Sequence, residues 1–379
     1  MRLVRSRNSK LKNIFLIPFF LSVCLVPAKA QDSRDSEDDT GTLFYPSLPE
    51  IPRIQFLTSF SVAADVREEK KKKSSWLSDF VLGDENLEDE EVLNKPYGVT
   101  ISKGQVHVVD TRGGGYAIFD VAAKDYRFIL GSGSAVMAKP VNIEIDNEGR
   151  KYVTDTDRGQ IFAFDSNDKF LMAYGKRGQF RPADVVVDED RLYVVDIQGH
   201  KVVVLDKNTG DELSSFGGAG VEKNRFFQPT NIALGPDKHL YISDTGNFRV
   251  QKFTQDGEFV RSFGAGVGTA PGDFARPKGV AVDRMGRLYV VDAAFETVQL
   301  FNSEGDLLLY FGEPASTHRG GLDLPADIDI DYDSVSFFQQ YADPSFELEY
   351  IIAVANQFGR NRVNVFGFGR HESMANEDE

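Results

Sequence analysis

The sequence predicts an all-β fold, a six-bladed β-propeller built from four-stranded blades. A short sequence motif, in which a proline is followed by an apolar strand, occurs six times, at Pro96, Pro140, Pro182, Pro229, Pro277 and Pro325. Most copies continue with a second strand that ends in aspartate and close with Phe-Gly or Tyr-Gly. Repeats of about 40 to 50 residues that each contain four strands are typical of propeller blades.

The fifth repeat shows the pattern of one blade. Residues 279–283 form the inner strand, Leu288–Asp292 the second, Thr297–Phe301 the third and 306–311 the fourth. These segments are short, rich in Val, Ile, Tyr and Phe, and bounded by Gly, Asp or Asn, which predicts strands separated by tight turns.

The sixth repeat lacks a fourth strand, because it ends at 362–369 and is followed by a polar tail at 370–379. A strand-like segment, Ile54–Phe60, precedes the first repeat and has no blade of its own. We therefore expect this N-terminal strand to complete the last blade and close the ring, which would remove the exposed sheet edges of an open array. The predicted propeller domain spans residues 51–369.

The segments 240–253 and Leu288–Asp292 resemble NHL repeats, which form six-bladed propellers. The resemblance covers nearly all of residues 54–369 and is strongest in blades two to five. It implies relatives that are lyases of amidated peptides, gluconolactonase-like hydrolases or strictosidine-synthase-like proteins. It also implies exported bacterial relatives that accompany multihaem cytochromes or envelope assemblies.

Residues 1–30 have the features of a secretory signal peptide: a basic start, an apolar run at 14–26 and a small-residue cleavage site at 28–30. An uncleaved membrane anchor and a lipidated Cys24 are the alternatives. Cleavage predicts a periplasmic or extracellular protein without a transmembrane helix. The acidic, polar residues 31–50 are expected to be a disordered linker.

Composition narrows the function classes. The chain has a formal net charge of −15, which argues against nucleic-acid binding and suits a basic protein partner. Its single cysteine, Cys24, lies within the predicted leader, so thiol catalysis and thiolate metal sites are not expected in the mature protein.

An insert at 62–95 separates the closing strand from the first blade. It contains four lysines at 70–73 and then Trp76, Leu77, Phe80 and Val81, whose spacing places them on one helical face. This segment could contact an acidic membrane surface, dock a partner or cover the propeller as a lid. Acidic residues follow directly, which favours the lid or the partner over the membrane.

A second insert, at 332–349, interrupts blade six. Its aromatic residues, Phe337, Phe338 and Tyr341, predict either a contact patch for a partner or a flap that buries the rings on its own blade.

The residues two positions after each repeat proline are expected to meet at one mouth of the central channel. Four of the six are polar, namely Asn142, Asp184, Asn231 and Asp327, and these are the candidate ligand-binding residues. The alternative is a hydrated channel without a ligand. His200 joins the candidates because the loop after a second strand should face the same mouth.

The recurring aspartates of the second strands, Asp110, Asp155, Asp196, Asp244 and Asp292, are predicted to be turn residues that accept backbone N–H groups. Three cations, Lys201, Arg249 and Arg362, are expected to be their ion-pair partners.

The sequence thus favours a non-catalytic interaction scaffold of the cell envelope that docks a basic protein, for example a multihaem cytochrome, or a glycan. The alternative is a metal-dependent lyase or lactonase-like hydrolase that uses the channel mouth. The five histidines include no close metal-ligand pair, so no catalytic residue and no cofactor is assigned, with calcium or zinc left open.

Overall fold

Six antiparallel sheets surround a central channel, which confirms the predicted propeller. The computed structural model describes residues 41–67, 92–264, 266–268, 270–314 and 319–373. The predicted signal peptide and the candidate partner residues Trp76, Leu77 and Phe80 lie outside these ranges.

Each of the first five blades contains four consecutive strands. Blade one contains β3 (Pro96–Ser102), β4 (Gln105–Asp110), β5 (Gly115–Asp120) and β6 (Asp125–Ile129). Blade two contains β7 (Pro140–Ile145), β8 (Lys151–Asp155), β9 (Gln160–Phe164) and β10 (Phe170–Tyr174). Blade three contains β11 (Pro182–Asp188), β12 (Arg191–Asp196), β13 (Lys201–Asp206) and β14 (Glu212–Gly217). Blade four contains β15 (Ile232–Leu234), β16 (Leu240–Asp244), β17 (Arg249–Phe253) and β18 (Phe259–Phe263). Blade five contains β19 (Pro277–Val282), β20 (Leu288–Asp292), β21 (Thr297–Phe301) and β22 (Leu307–Phe311).

Blade six is assembled from both ends of the chain. It contains β23 (Pro325–Asp331), β24 (Phe346–Asn356) and β25 (Val363–His371), followed in the sheet by β2 (Ile54–Phe60) and β1 (Phe44–Tyr45). Strand β2 runs antiparallel to β25 from the pair Ile54–Phe368 to the pair Phe60–Val363. The predicted ring closure by the N-terminal strand is therefore plausible in register as well as in order.

Strand β1 was not expected, since the sequence predicted a disordered linker over 31–50. Its residues pair with β2, Phe44 opposite Gln55 and Tyr45 opposite Ile54. The ring of Phe44 packs 5.6 Å from that of Phe346, so apolar contacts order this part of the segment. Strand β25 continues two residues into the predicted polar tail, to His371.

Apolar contacts between neighbouring blades make up the core. The second strands of blades two to five each bury one tyrosine, and these are Tyr152, Tyr193, Tyr241 and Tyr289. His107 occupies the same position in β4 and is equally buried. Because blades cover each other on both faces, these strands are apolar without the alternation of a one-sided sheet.

The insert in blade six forms a flap. It contains the four-residue helix α1 (Val335–Phe338) and a 3-10 turn (Gln339–Tyr341), after which β24 begins. Phe338 is fully buried near the ring of Phe60, and Phe337 packs over Gly104 of blade one. Of the two readings, the structure favours the flap, because Phe338 belongs to the core and Phe337 and Tyr341 pack against it.

Only part of the first insert is described. Residues Ala63–Asp65 form a 3-10 turn, and Val62 bridges to Val92. Across the ranges that the structure covers, no helix has the length and apolar character needed to cross a membrane.

Candidate functional site

The central channel has two distinct ends. The inner strands, the first in each blade, all start at one end, which we call the upper mouth. The turns from each inner strand to the second strand lie at the opposite end, which we call the lower mouth. A cavity of about 530 Å³ occupies the upper mouth, and one of about 430 Å³ occupies the lower mouth.

The recurring aspartates hold the strand ends at the upper mouth, as predicted. The carboxylate of Asp110 accepts the backbone N–H groups of Asn94 and Lys95 before β3, and those of Arg112 and Gly113 in the next turn. Asp155 and Asp292 make the same four-donor arrangement, and Asp196 a shorter version of it. These carboxylates are structural because their acceptor oxygens are already used.

Only one of the three predicted cation partners pairs with these aspartates. Arg249 contacts Asp244, with Nε 2.8 Å from Oδ2. Lys201 instead lies 3.9 Å from Glu212, and Arg362 donates to the backbone oxygen of Gln357. The sixth blade has Asn356 in place of the aspartate, and its side-chain oxygen accepts the N–H of Asp323.

The four polar residues predicted at the channel mouth lie deeper than expected. Asn142, Asp184, Asn231 and Asp327 are all buried. Asn231 donates from Nδ2 to Oδ1 of Asp327 at 3.0 Å, and Asp184 accepts the N–H of Ile232 at 2.9 Å. We call this ring of four side chains the polar collar.

The collar is a constriction because the inner strands approach each other closely at this level. A Cβ atom on Gly98 would lie 2.1 Å from Oδ1 of Asn142, and one on Gly279 would lie 2.5 Å from Cα of Asp327. Side chains two positions after the proline therefore cross the gap between neighbouring strands. They tie inner strands together below the open mouth, and their role in ligand binding stays a prediction.

Below the collar lies a cavity of about 250 Å³ whose lining includes four carboxylates, which we call the acid chamber. Its acids are Glu144, Asp184, Asp327 and Asp329. Burial raises the pKa of Asp327 to about 7 and that of Asp329 to about 6. Burial, reinforced by the neighbouring carboxylates, also holds the pKa of Glu144 and Asp184 well above the usual range.

The carboxylates give the chamber a lining rich in oxygen atoms. Within the described ranges, no group of three or more His, Cys, Asp or Glu side chains is arranged to hold a metal ion. The side-chain oxygen of Asn231 is buried and, among the described residues, has no hydrogen-bond partner.

His200 lines the upper mouth, where the sequence placed it. Its Nδ1 accepts the backbone N–H of Gln228 at 2.9 Å, so the neutral ring carries its proton on Nε2. The ring stacks on Phe227, with 5.6 Å between ring centroids. These two contacts fix the orientation of a hydrogen-bond donor at the cavity wall.

Sequence reasoning missed the charged residues of the upper mouth. The cavity is lined by four cations, Lys95, Lys139, Arg181 and Lys278. Three of them directly precede a repeat proline, and Arg276 holds the same position in blade five. The repeat itself contained this information, since a cation directly precedes four of the six repeat prolines. That position was interpreted only as the start of the inner strand.

Comparisons with known proteins agree with this architecture. Residues 226–253 match the NHL repeat family. A segment of 105 residues, 26% of this chain, is 30% identical to peptidyl-glycine alpha-amidating monooxygenase A of Xenopus laevis. The chain spans only about a tenth of that protein, since the alignment covers 11% of it.

Solved structures share the fold at low sequence identity. Virginiamycin B lyase from Staphylococcus aureus matches with a TM-score of 0.50 and 15% identity, over 72% of this chain and 80% of that one. A gluconolactonase from Xanthomonas campestris matches with a TM-score of 0.51 and 17% identity, over 73% and 86%. The ring of six sheets and the match at residues 226–253 together show that this chain is a six-bladed β-propeller that contains an NHL repeat.

Proposed function

We propose that this protein is an exported, non-catalytic interaction scaffold of the cell envelope, and that its lower face docks a basic protein such as a multihaem cytochrome. One observation carries the proposal: charge is separated along the channel axis. The cavity at the lower mouth is lined by six carboxylates, Glu144, Asp146, Glu148, Asp329, Asp331 and Asp333, beside Lys103 and Lys151. The cavity at the upper mouth is lined by cations.

Part of the lower charge is neutralised within the propeller, and part is left for a partner. Asp146 pairs with Arg150 at 2.8 Å, and Asp188 pairs with Lys238 at 2.7 Å. Asp190 and Asp333 are exposed. Among the described residues, neither carboxylate has a cationic nitrogen within 4.0 Å, the limit for an ion pair.

An acidic face of this kind attracts a basic protein over a distance set by ionic strength. At physiological salt the Debye length is about 8 Å, so the attraction acts mainly on the encounter rate and on the orientation of the complex. The rigid ring suits this role because its turns are held by strands on every side. Export is supported by the leader-like residues 1–30 and would bring the protein to the compartment of envelope cytochromes.

The test measures binding of a basic multihaem cytochrome by surface plasmon resonance at low and physiological salt. The variant E148Q/D190N/D333N removes three negative charges from the lower face. Its matched control, D157N/E222Q/E313Q, removes three exposed acids at the opposite end of the propeller. We expect the first variant to weaken binding about tenfold and the control to change it less than about twofold.

Equal weakening by both variants would contradict the proposal, because net charge rather than the lower face would then control binding. Stoichiometric zinc or calcium in the purified protein, together with hydrolysis of a lactone or cleavage of an amidated peptide, would favour the enzyme alternative instead.

A further inference from the structure

We propose that the upper mouth is a binding site for a small anion that carries at least two negatively charged oxygen groups. The proposal is independent of docking at the lower face, because it concerns the opposite end of the channel. It rests on the cations of the cavity, on one buried lysine and on the oriented neutral donors around them.

The rim of the cavity carries cations that are not neutralised by nearby acids. Among the described residues, no carboxylate lies within 4.0 Å of the ammonium of Lys95 or Lys139. Arg181 reaches Asp157 at 3.7 Å, and both side chains of that pair are about half exposed. An exposed pair of this kind is weak, so Arg181 remains able to turn toward an anion.

Lys278 is the strongest evidence for a built site. It is only 7% exposed, and among the described residues no carboxylate lies within 4.0 Å of its ammonium. Its Nζ donates to the hydroxyl of Tyr97 at 2.5 Å and lies 5.0 Å from the centroid of that ring.

A buried ammonium is costly unless it is paired and hydrogen-bonded, and a tyrosine supplies one acceptor and a ring face for a group with three donors. The backbone at Lys278 is fixed as well, since its carbonyl accepts the hydroxyl of Ser243. The position therefore holds a positive charge with two further N–H donors in the lining of the cavity.

The remaining polar groups of the wall suit an anion too. His200 presents Nε2–H, as its Nδ1 is already an acceptor. No Asp or Glu is found among the described residues that line the cavity, although the chain has a net charge of −15.

The size of the cavity indicates the class of ligand. Its volume of about 530 Å³ falls within the range of small-molecule sites, about 300 to 1,000 Å³. Four cations around one cavity favour a ligand with more than one negative group. Such groups can be carboxylates, as in citrate or an oligogalacturonide, or phosphates, as in pyrophosphate.

The test is isothermal titration of the purified protein with citrate, trigalacturonate and pyrophosphate, and with neutral maltotriose as the uncharged probe. The variant K95Q/K139Q/R181Q removes two lysines and one arginine from the rim. Its control, K176Q/R177Q/K223Q, removes the same residue types from exposed positions on the same face but outside the cavity. K278M removes the buried charge and keeps an unbranched side chain that is one heavy atom shorter.

We expect one molecule of at least one anion to bind per chain, with affinity falling about tenfold or more in the rim variant and in K278M and less than about twofold in the control. K278M should be at least as stable to urea as the wild type, because it removes a buried charge that has no carboxylate partner. Preference for trigalacturonate and citrate over pyrophosphate would identify a carboxylate site, and the reverse a phosphate site.

Failure of all three anions to bind would overturn the proposal. So would equal weakening by the rim and control variants, or maltotriose binding as tightly as trigalacturonate. A large loss of stability in K278M, with anion affinity retained in the rim variant, would also overturn it, because Lys278 would then have a structural role.

Discussion

A buried ion cluster joins blades one and two. Asp168, in the turn between β9 and β10, forms ion pairs with Nζ of Lys151 at 2.7 Å and with the guanidinium of Arg127 at 2.7 Å. It also accepts a hydrogen bond from the hydroxyl of Tyr116 at 3.0 Å. The side chains of Asp168 and Lys151 are only 5% and 3% exposed. The carboxylate therefore compensates a lysine that has little access to water.

Removing the negative charge should be more damaging than removing both charges. We expect D168N to lower the free energy of unfolding by about 3 kcal/mol, because Lys151 is left buried without its counterion. The double variant D168N/K151M should recover part of this loss. Asparagine also tolerates the left-handed backbone of residue 168, where φ is 63°, so backbone strain does not complicate the comparison.

Urea denaturation of the wild type, D168N, K151M and D168N/K151M gives the coupling energy between Asp168 and Lys151. D157N, which alters an exposed carboxylate, is the control and should change stability by less than about 0.5 kcal/mol. A double variant no more stable than D168N would show that the unpaired lysine does not account for the loss.

Strand β2 connects more than the two ends of the chain. Phe60, its last residue, is fully buried and stacks on Phe119 of blade one, with 5.3 Å between ring centroids. The same ring contacts Phe338 of the flap, with 6.5 Å between centroids. One side chain thus joins the closing strand, the neighbouring blade and the insert.

The closing strand should therefore be sensitive to loss of this single ring. We expect F60A to lower the free energy of unfolding by about 3 to 5 kcal/mol, the usual cost of deleting a buried phenylalanine. Limited proteolysis should then cleave near β2 earlier than in the wild type, since closure of the ring is weakened. T58A, at a half-buried position of the same strand, serves as the control.

Cleavage that starts elsewhere in F60A, or a loss of stability below about 1 kcal/mol, would show that closure depends on the β2–β25 ladder more than on the packing of Phe60.

At the scale of the whole molecule, the repeat predicted the number of blades, their strands and the closing segment. It could not predict whether the residues lining the channel are buried. Equivalent positions in the repeats lie at the same level of the channel, but their exposure to solvent depends on the neighbouring blades. The collar is buried because Gly98 and Gly279 let strands approach, a contact between blades that no single repeat contains. The packing of Phe337 and Phe338 also depends on blade one, since Phe337 lies over Gly104 and Phe338 belongs to a core cluster that includes blade-one residues.

The acid chamber should make the ring respond to pH. The pKa of Asp327 is raised to about 7 in the folded protein, against a usual value of 3.8 that applies when the chain unfolds. The folded state therefore takes up a proton as the pH falls through 7, while the unfolded state does not until about pH 4. A raised pKa of this kind stabilises the fold at low pH, and the contribution is lost as the pH rises through 7.

We expect the wild type to gain about 2 kcal/mol relative to D327N between pH 8 and pH 5, measured by urea denaturation at each pH. The comparison must be made against the variant, because His107 acts in the opposite direction. Burial lowers the pKa of His107 to about 3, so stability is lost below pH 6.5 in both proteins, and this contribution cancels. Parallel pH profiles would contradict the prediction, since they would mean that Asp327 is already ionised in the folded chamber at neutral pH.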